Sequence, residues 1–168
     1  MTPALRTGHR AIDIRRRASR MAMQKFTVSP TEVMRKYKVI AVVGASKNPE
    51  KEAGSVPAYL HDHGYTIIPI NPTTDSVNGL RAYPSLADLP EELARKVEVV
   101  DVFRPSEELP QVAKQVVEMK RRTGRPFVFW GQLGLENDEA KKILEGAKVD
   151  YVMDKCMRVE HRFMAGSP

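Results

Sequence analysis

The sequence predicts an α/β fold, a Rossmann-like, doubly wound parallel sheet of five strands in three α/β/α layers. Three observations carry this reading. Five short apolar runs, 39–43, 65–70, 97–103, 127–130 and 149–153, are rich in valine, isoleucine and aromatic residues. The first, 39–43, is continuous rather than alternating, as a strand covered on both faces must be. Helix-forming stretches separate them, and strands that alternate with helices build parallel sheets.

The chain has 168 residues, enough for one domain with a real core and too few for two ordinary ones. Residues 1–28 form a basic extension without a secretory core or a clear hydrophobic face, expected to be flexible or loosely helical. Met21 and Met23 stand just before the body and offer alternative starts. Residues 29–168 make the domain. Ser29-Pro30-Thr31-Glu32 supplies a capping hydroxyl, a proline at the first helical position and a glutamate at the third, and so starts a short helix to about Lys36. Val39–Val43 is the first strand, ended by Gly44. A helix from about Ser55 to His63 ends at Gly64, and the second strand runs from Tyr65 to Ile70, stopped by Asn71-Pro72. Residues 73–96 are less regular, with a turn at Asn78-Gly79 and a short helix start at Ser85–Asp88. The third strand, Val97–Phe103, is broken by Arg104-Pro105-Ser106. The helix after it, to about Arg122, carries Leu109, Val112, Ala113, Val116 and Val117 at helical spacing. The fourth strand, Phe127–Trp130, ends at Gly131. Asn137 caps a helix to about Glu145, and Val149–Met153 is the fifth strand. Right-handed crossovers then bring the loops 44–54, 71–75, 104–106, 131–136 and 154–158 to one edge, where ligands of such folds bind.

Charge narrows the partners. The net charge is +6, but seven basic residues (Arg6, Arg10, Arg15, Arg16, Arg17, Arg20 and Lys25) and one acid, Asp13, fall in the extension. The body is formally neutral, so only the tail offers nucleic acid a basic surface. The single cysteine, Cys156, excludes an internal disulfide and a cysteine zinc site, and this usage points to a reducing cytoplasm. No apolar run is long enough for a membrane span.

The chemistry concentrates in the loop after the first strand. Strand, glycine, loop, helix is the arrangement in which backbone amides and a helix N-terminus meet a phosphate. Gly44 permits the turn, Ala45 and Ser46 leave room for a ligand, and Ser46 also offers a hydroxyl. Lys47 and Lys51 balance phosphate charge. Neither the dinucleotide fingerprint G-x-G-x-x-G nor the P-loop motif is present. Folds that bind NAD place an acid near the end of the second strand to hold the ribose hydroxyls. Here that strand ends in Asn71-Pro72, which tolerates a phosphorylated ribose and turns the reading from NAD towards NADP or coenzyme A.

The motifs taken together are more specific. Val42-Val-Gly-Ala-Ser-Lys-Asn-Pro-Glu-Lys51, Gly64-Tyr65 with Pro69-Ile70-Asn71-Pro72, Asp101-Val102-Phe103-Arg104-Pro105, Trp130-Gly131-Gln132-Leu133-Gly134, and Asp154-Lys155-Cys156 with Glu160-His161 resemble the single-domain coenzyme A-binding proteins. Those are similar to the N-terminal domain of the succinyl-CoA synthetase α subunit. The resemblance covers roughly residues 30–164. It implies that Gly44, Ala45, Ser46 and Lys47 form the phosphate loop. Asn71 and Pro72 would lie near the nucleotide half of the ligand, with Phe103, Arg104 and Pro105 beside the cofactor and Gln132 on the same edge. Many relatives carry a lysine after the Asn-Pro pair. Thr73 stands there in this chain, so Lys47, Lys51 or Arg104 would supply that charge.

The expected function is therefore binding of coenzyme A or an acyl-CoA, without catalytic residues and without a metal, for sensing or cofactor protection. The alternatives are an NADP-type oxidoreductase or an accessory subunit of an acyl-CoA-handling enzyme. Cys156 is a candidate redox thiol for a mixed disulfide with the cofactor. Glu160 and His161 are expected to hydrogen-bond within the C-terminal segment, and His61 and His63 to sit at a helix end. Trp130 is expected in the core. A homodimer is the default expectation.

Overall fold

The computed structural model describes residues 7–166. In chain order the elements are α1 (Thr7–Met23), α2 (Pro30–Lys36), β1 (Val39–Val43), α3 (Glu52–Asp62), β2 (Thr66–Ile70), β3 (Ser76–Val77), β4 (Leu80–Arg81), α4 (Glu91–Ala94), β5 (Val99–Val102), α5 (Leu109–Thr123), β6 (Val128–Gly131), α6 (Asp138–Gly146), β7 (Asp150–Val152) and α7 (Met157–Met164). Two 3₁₀ turns, Leu86–Asp88 and Ser106–Glu108, precede α4 and α5.

Five strands form one parallel sheet in the order β2-β1-β5-β6-β7. Their apolar runs are buried on both sides, which is why they do not alternate. One face packs against α4, α5 and α6 through a cluster that includes Val100, Val102, Leu109, Val116, Phe129 and Leu144. The other packs against α2, α3 and α7 through Val33, Val42, Val56, Leu60, Trp130 and Met157. Burying each leucine- or valine-sized side chain contributes roughly 1.5–3 kcal/mol. The β1–α3–β2 unit runs outward on one side, and the chain then crosses back over β1 to enter β5. Strand order therefore reverses between β1 and β5, and a crevice opens at the carboxyl ends of these two strands.

Helix boundaries follow local chemistry. Ser29 Oγ accepts from the Glu32 amide, and Asn137 Oδ1 accepts from the Ala140 amide at 2.9 Å. Gly124 ends α5 in the left-handed region with φ 78°. The sequence expectation holds at the Asn78-Gly79 turn and differs at several places elsewhere. Helix α3 begins at Glu52 rather than near Ser55, with Gly54 in its first turn packed against the Asn48 carbonyl. Gly131 continues β6 instead of ending it. The Asn78-Gly79 turn joins a two-stranded ribbon, β3-β4, with φ 51° and 77° at its two central residues. The C-terminal helix α7 was not foreseen from the sequence.

Before the body, α1 touches α6, and Arg17 pairs with Glu145 at 3.2 Å. Residues 25–27 then run antiparallel along the outer edge of β7, with Thr27 N donating to Tyr151 O at 2.9 Å and Met153 N donating to Lys25 O at 2.7 Å. This covers part of an edge that would otherwise expose unpaired backbone. Among the described residues no helix is long and apolar enough to cross a membrane.

Candidate functional site

The loops after β1 and β5 meet at Gly44. Its φ is +84°, and a Cβ there would lie 2.7 Å from Phe103 O and 3.1 Å from Arg104 Cδ. Two clefts flank this contact, and Arg104 lines both. The larger, about 560 Å³, is lined by Glu52 and Ala53 of α3, Phe103-Arg104-Pro105, Gln132, Leu133, Leu135, and Cys156, Arg158 and Val159 at the start of α7. The smaller, about 360 Å³, is lined by Gly44, Ile70, Pro72, Pro84, Ser85 and the N-terminal half of α5.

Most amides of the β1–α3 loop are already used. Gly44 N donates to Ile70 O at 3.0 Å, Ser46 N to Ala53 O at 3.0 Å, and Asn48 N to Ser46 Oγ at 3.1 Å. Ala45 and Lys47 keep amides without an acceptor among the described residues. Helix α3 has no side-chain cap, so the first-turn amides of Glu52 and Ala53 lack intrahelical acceptors as well. An anion at this point would gain from the positive end of an eleven-residue helix. Gly54 makes the arrangement possible, because a Cβ there would lie 2.2 Å from Asn48 O. The loop lies directly on the first turn of the helix.

Two arginines supply positive charge to the larger cleft, and both are paired. Arg104 grips Glu108 with two bonds, Nε–Oε2 at 2.7 Å and NH2–Oε1 at 3.1 Å. These bonds hold Glu108 below the usual carboxylate range and Arg104 above its ordinary value. Arg158 reaches Glu52 at 3.1 Å. An incoming phosphate therefore competes with a carboxylate at each arginine.

Gln132 lines the larger cleft and is bonded to Asp101 of β5. Asp101 is fully buried, and its Oδ1 accepts from Gln132 Nε2 at 2.7 Å. Burial pushes its pKa up to about 8, against the opposing bonds from Gln132 and the Val102 backbone. Asp154 ties two rim loops together, accepting from Gly134 N at 2.7 Å and from Lys25 Nζ at 2.5 Å. Those bonds, Lys25 first, lower its pKa.

The structure brings Phe103, Arg104, Pro105, Gln132 and Cys156 together in the larger cleft, and Gly44, Pro72 and Arg104 in the smaller. Ala45 is buried beneath the loop, where its carbonyl accepts from Asn71 Nδ2 at 2.8 Å. Asn71 thus works as a brace between loops, and Asn71 Oδ1 also accepts from Thr73 N at 2.7 Å. Ser46, Lys47, Lys51 and Asn71 line neither of the two clefts. Lys47 and Lys51 stand exposed on the same loop.

Glu52, Ala53, Leu133, Leu135, Arg158 and Val159 escaped the sequence reading. All but Val159 fall in loops expected at this edge, and that placement was the one signal for them. His161 is not bonded within its own segment. Its Nδ1 pairs with Tyr59 OH on α3 at 2.8 Å, and its ring stands edge-on to Tyr59, His63 and Tyr65. Trp130 is fully buried, with Nε1 donating to Lys155 O at 2.8 Å.

A sequence model of the CoA binding domain matches residues 38–162. The chain is 41% identical over 130 residues to the uncharacterized protein YneT of Bacillus subtilis, covering 77% of this chain and 90% of that one. It is 28% identical over 113 residues to the ADP-forming acetate–CoA ligase II of Archaeoglobus fulgidus, covering 66% of this chain but only 16% of the ligase. A solved structure of a hypothetical protein from Pyrococcus horikoshii superposes with a TM-score of 0.74 at 34% identity, covering 83% of this chain and 94% of that one. By the extent of the family match, by these relatives and by the architecture of its switch point, the chain belongs to the CoA binding domain family.

Proposed function

We propose that the protein binds coenzyme A or an acyl-CoA across the crevice between β1 and β5, as a binding module without chemistry of its own. The observation that carries the reading is the close approach of Gly44 to Phe103 and Arg104, with a cleft on either side. The pyrophosphate takes the free amides of Ala45 and Lys47 and the uncapped start of α3. Lys47, Lys51 and Arg104 neutralise phosphate charge. The pantetheine arm lies in the larger cleft, where Phe103, Pro105, Leu133, Leu135 and Val159 offer apolar surface and Gln132 a polar one.

Calorimetry with coenzyme A, dephospho-coenzyme A, NADP and NAD tests this. Coenzyme A should bind, and loss of the 3′-phosphate should weaken it. Binding of NADP without coenzyme A would refute the proposal. Arg104→Ala and Lys47→Ala should each weaken coenzyme A by roughly 1–3 kcal/mol if each makes a charge-assisted bond. Arg104 should fall at the low end, because its Glu108 bond is given up on binding.

Cys156 lines the same cleft and gives the module a redox readout. Its thiolate attacks one sulfur of coenzyme A disulfide, a mixed disulfide forms, and one coenzyme A leaves as thiolate and takes up a proton. Mass spectrometry after incubation with coenzyme A disulfide should show a reducible adduct on the wild type and none on Cys156→Ser. An unmodified wild-type chain would remove Cys156 from the site.

A second reading rests on the ligase match. Because the chain corresponds to a small part of the Archaeoglobus ligase, it would serve as the cofactor-holding subunit of an acyl-CoA-handling enzyme whose catalytic groups lie on another chain.

A further inference from the structure

Among the described residues, the large apolar side chains that stand exposed fall into two groups. Ile12, Ile14, Met23 and Phe26 belong to the segment before the body. The others, Leu133, Val159 and Phe163, belong to the body and gather at one place. Leu133 and Val159 both line the larger cleft, one from the loop after β6 and the other from α7. Phe163 stands one turn further along α7, on the same face as Val159. Folding thus brings apolar side chains from two distant segments to the mouth of one cleft.

This face of α7 does not belong to the core. Met157 and His161 are the buried side of the helix. Val159 lies about 200° round from Met157. Leu133 and Phe163 are each 71% exposed, and Val159 is 42% exposed. A single exposed apolar side chain is ordinary, but a group of them joined to a ligand cleft is what an apolar ligand covers. Coenzyme A alone does not cover it. With the pyrophosphate at the start of α3, the arm lies against Phe103, Pro105 and Leu135, and the sulfur is the end of the free cofactor. Phe163 lies outside the cleft, about 6 Å along the helix from Val159. A thiol brings nothing apolar to that stretch, and an acetyl group is too short to span it. The strip is also narrow. Arg158 and Arg162 run along one side of it and Glu160 along the other, by helical spacing. Arg158 is paired with Glu52, and Arg162 lies over the Tyr59 ring at 5.4 Å. A strip one side chain wide suits an alkyl chain. It is far smaller than the ~800 Å² per partner of a stable protein interface.

We propose that Leu133, Val159 and Phe163 form a track for the alkyl chain of a thioester, so that the preferred ligand is a medium- or long-chain acyl-coenzyme A. The proposal rests on the coenzyme A reading above and names the ligand class within it.

Calorimetry of the full chain with coenzyme A, acetyl-coenzyme A and octanoyl-coenzyme A tests it. A methylene buried completely gains about fourfold in affinity, and one covered on a single side about twofold. Octanoyl-coenzyme A should therefore bind at least about tenfold more tightly than acetyl-coenzyme A. Phe163→Ser changes an exposed side chain. It should leave coenzyme A and acetyl-coenzyme A as tightly bound as in the wild type and cut the octanoyl advantage to about threefold or less. Leu133→Ser should cut the same ratio. An octanoyl advantage that survives intact in both variants would overturn the inference. So would a wild-type dimer without chain-length preference that Phe163→Ser turns into a monomer, since the strip would then be a protein interface. If coenzyme A binds and chain length makes no difference, the functional reading stands and this inference alone falls. If none of the three binds, both fall.

Discussion

Gly44→Ala should lower the unfolding free energy by about 3 kcal/mol, combining left-handed strain with overpacking. The residue sits at φ +84°, and its new Cβ would press on the Phe103 carbonyl at 2.7 Å. That oxygen belongs to backbone just past β5, so it cannot swing away as a side-chain tip does. The β1 and β5 loops must separate, and the crevice between them changes shape. In a chain of this size each kcal/mol moves the melting point by about 2–4 °C, so a drop of about 6–12 °C is expected. Coenzyme A affinity should fall more than tenfold in the protein that remains folded, by roughly 1.4 kcal/mol or more. An unchanged melting temperature would show that the two loops are not in contact.

Gly54→Ala should behave opposite to its helix propensity. Inside a helix, glycine to alanine ordinarily gains about 1 kcal/mol. Here the added methyl would lie 2.2 Å from the Asn48 carbonyl and 3.0 Å from that of Ser46. Either the loop lifts or α3 shifts, and an overpacked contact of this kind costs about 1–3 kcal/mol. The expected net loss is up to about 2 kcal/mol, read as a lower midpoint in chemical denaturation with an unchanged slope. Binding should weaken as well, because the free amides of Ala45 and Lys47 ride on the displaced loop. A more stable Gly54→Ala protein would mean that the loop does not rest on the helix.

Both substitutions show why the sequence revealed the fold better than the site. The strands were legible because a sheet covered on both faces demands unbroken apolar runs, and 39–43 is such a run with no competing pattern. The start of α3 was not. Gly54 reads as a breaker by propensity, and its contact with Asn48 exists only after folding. Helix α7 lacked a capping side chain, since Cys156 at its N-cap makes no such bond. Phe103, Arg104 and Pro105 were placed beside the cofactor by the family resemblance, and the rule that ligands meet the carboxyl ends of strands brought the 104–106 loop to the same edge. Asn71 was read as lying near the nucleotide from the resemblance and from its place where NAD-binding folds carry an acid, yet its amide is spent on Ala45. Asp101 showed only as part of a motif. No sequence pattern distinguishes a carboxyl sealed under a cleft from one that opens into it.

Coenzyme A binding at the switch-point crevice is read residue by residue from backbone amide resonances. In an NMR titration of the full chain with coenzyme A, the largest shifts should fall on Ala45, Lys47, Ala53, Arg104 and Gln132, with α6 and the outer edge of β7 nearly unmoved. Shifts confined to the basic N-terminal segment, or none at millimolar coenzyme A, would contradict it.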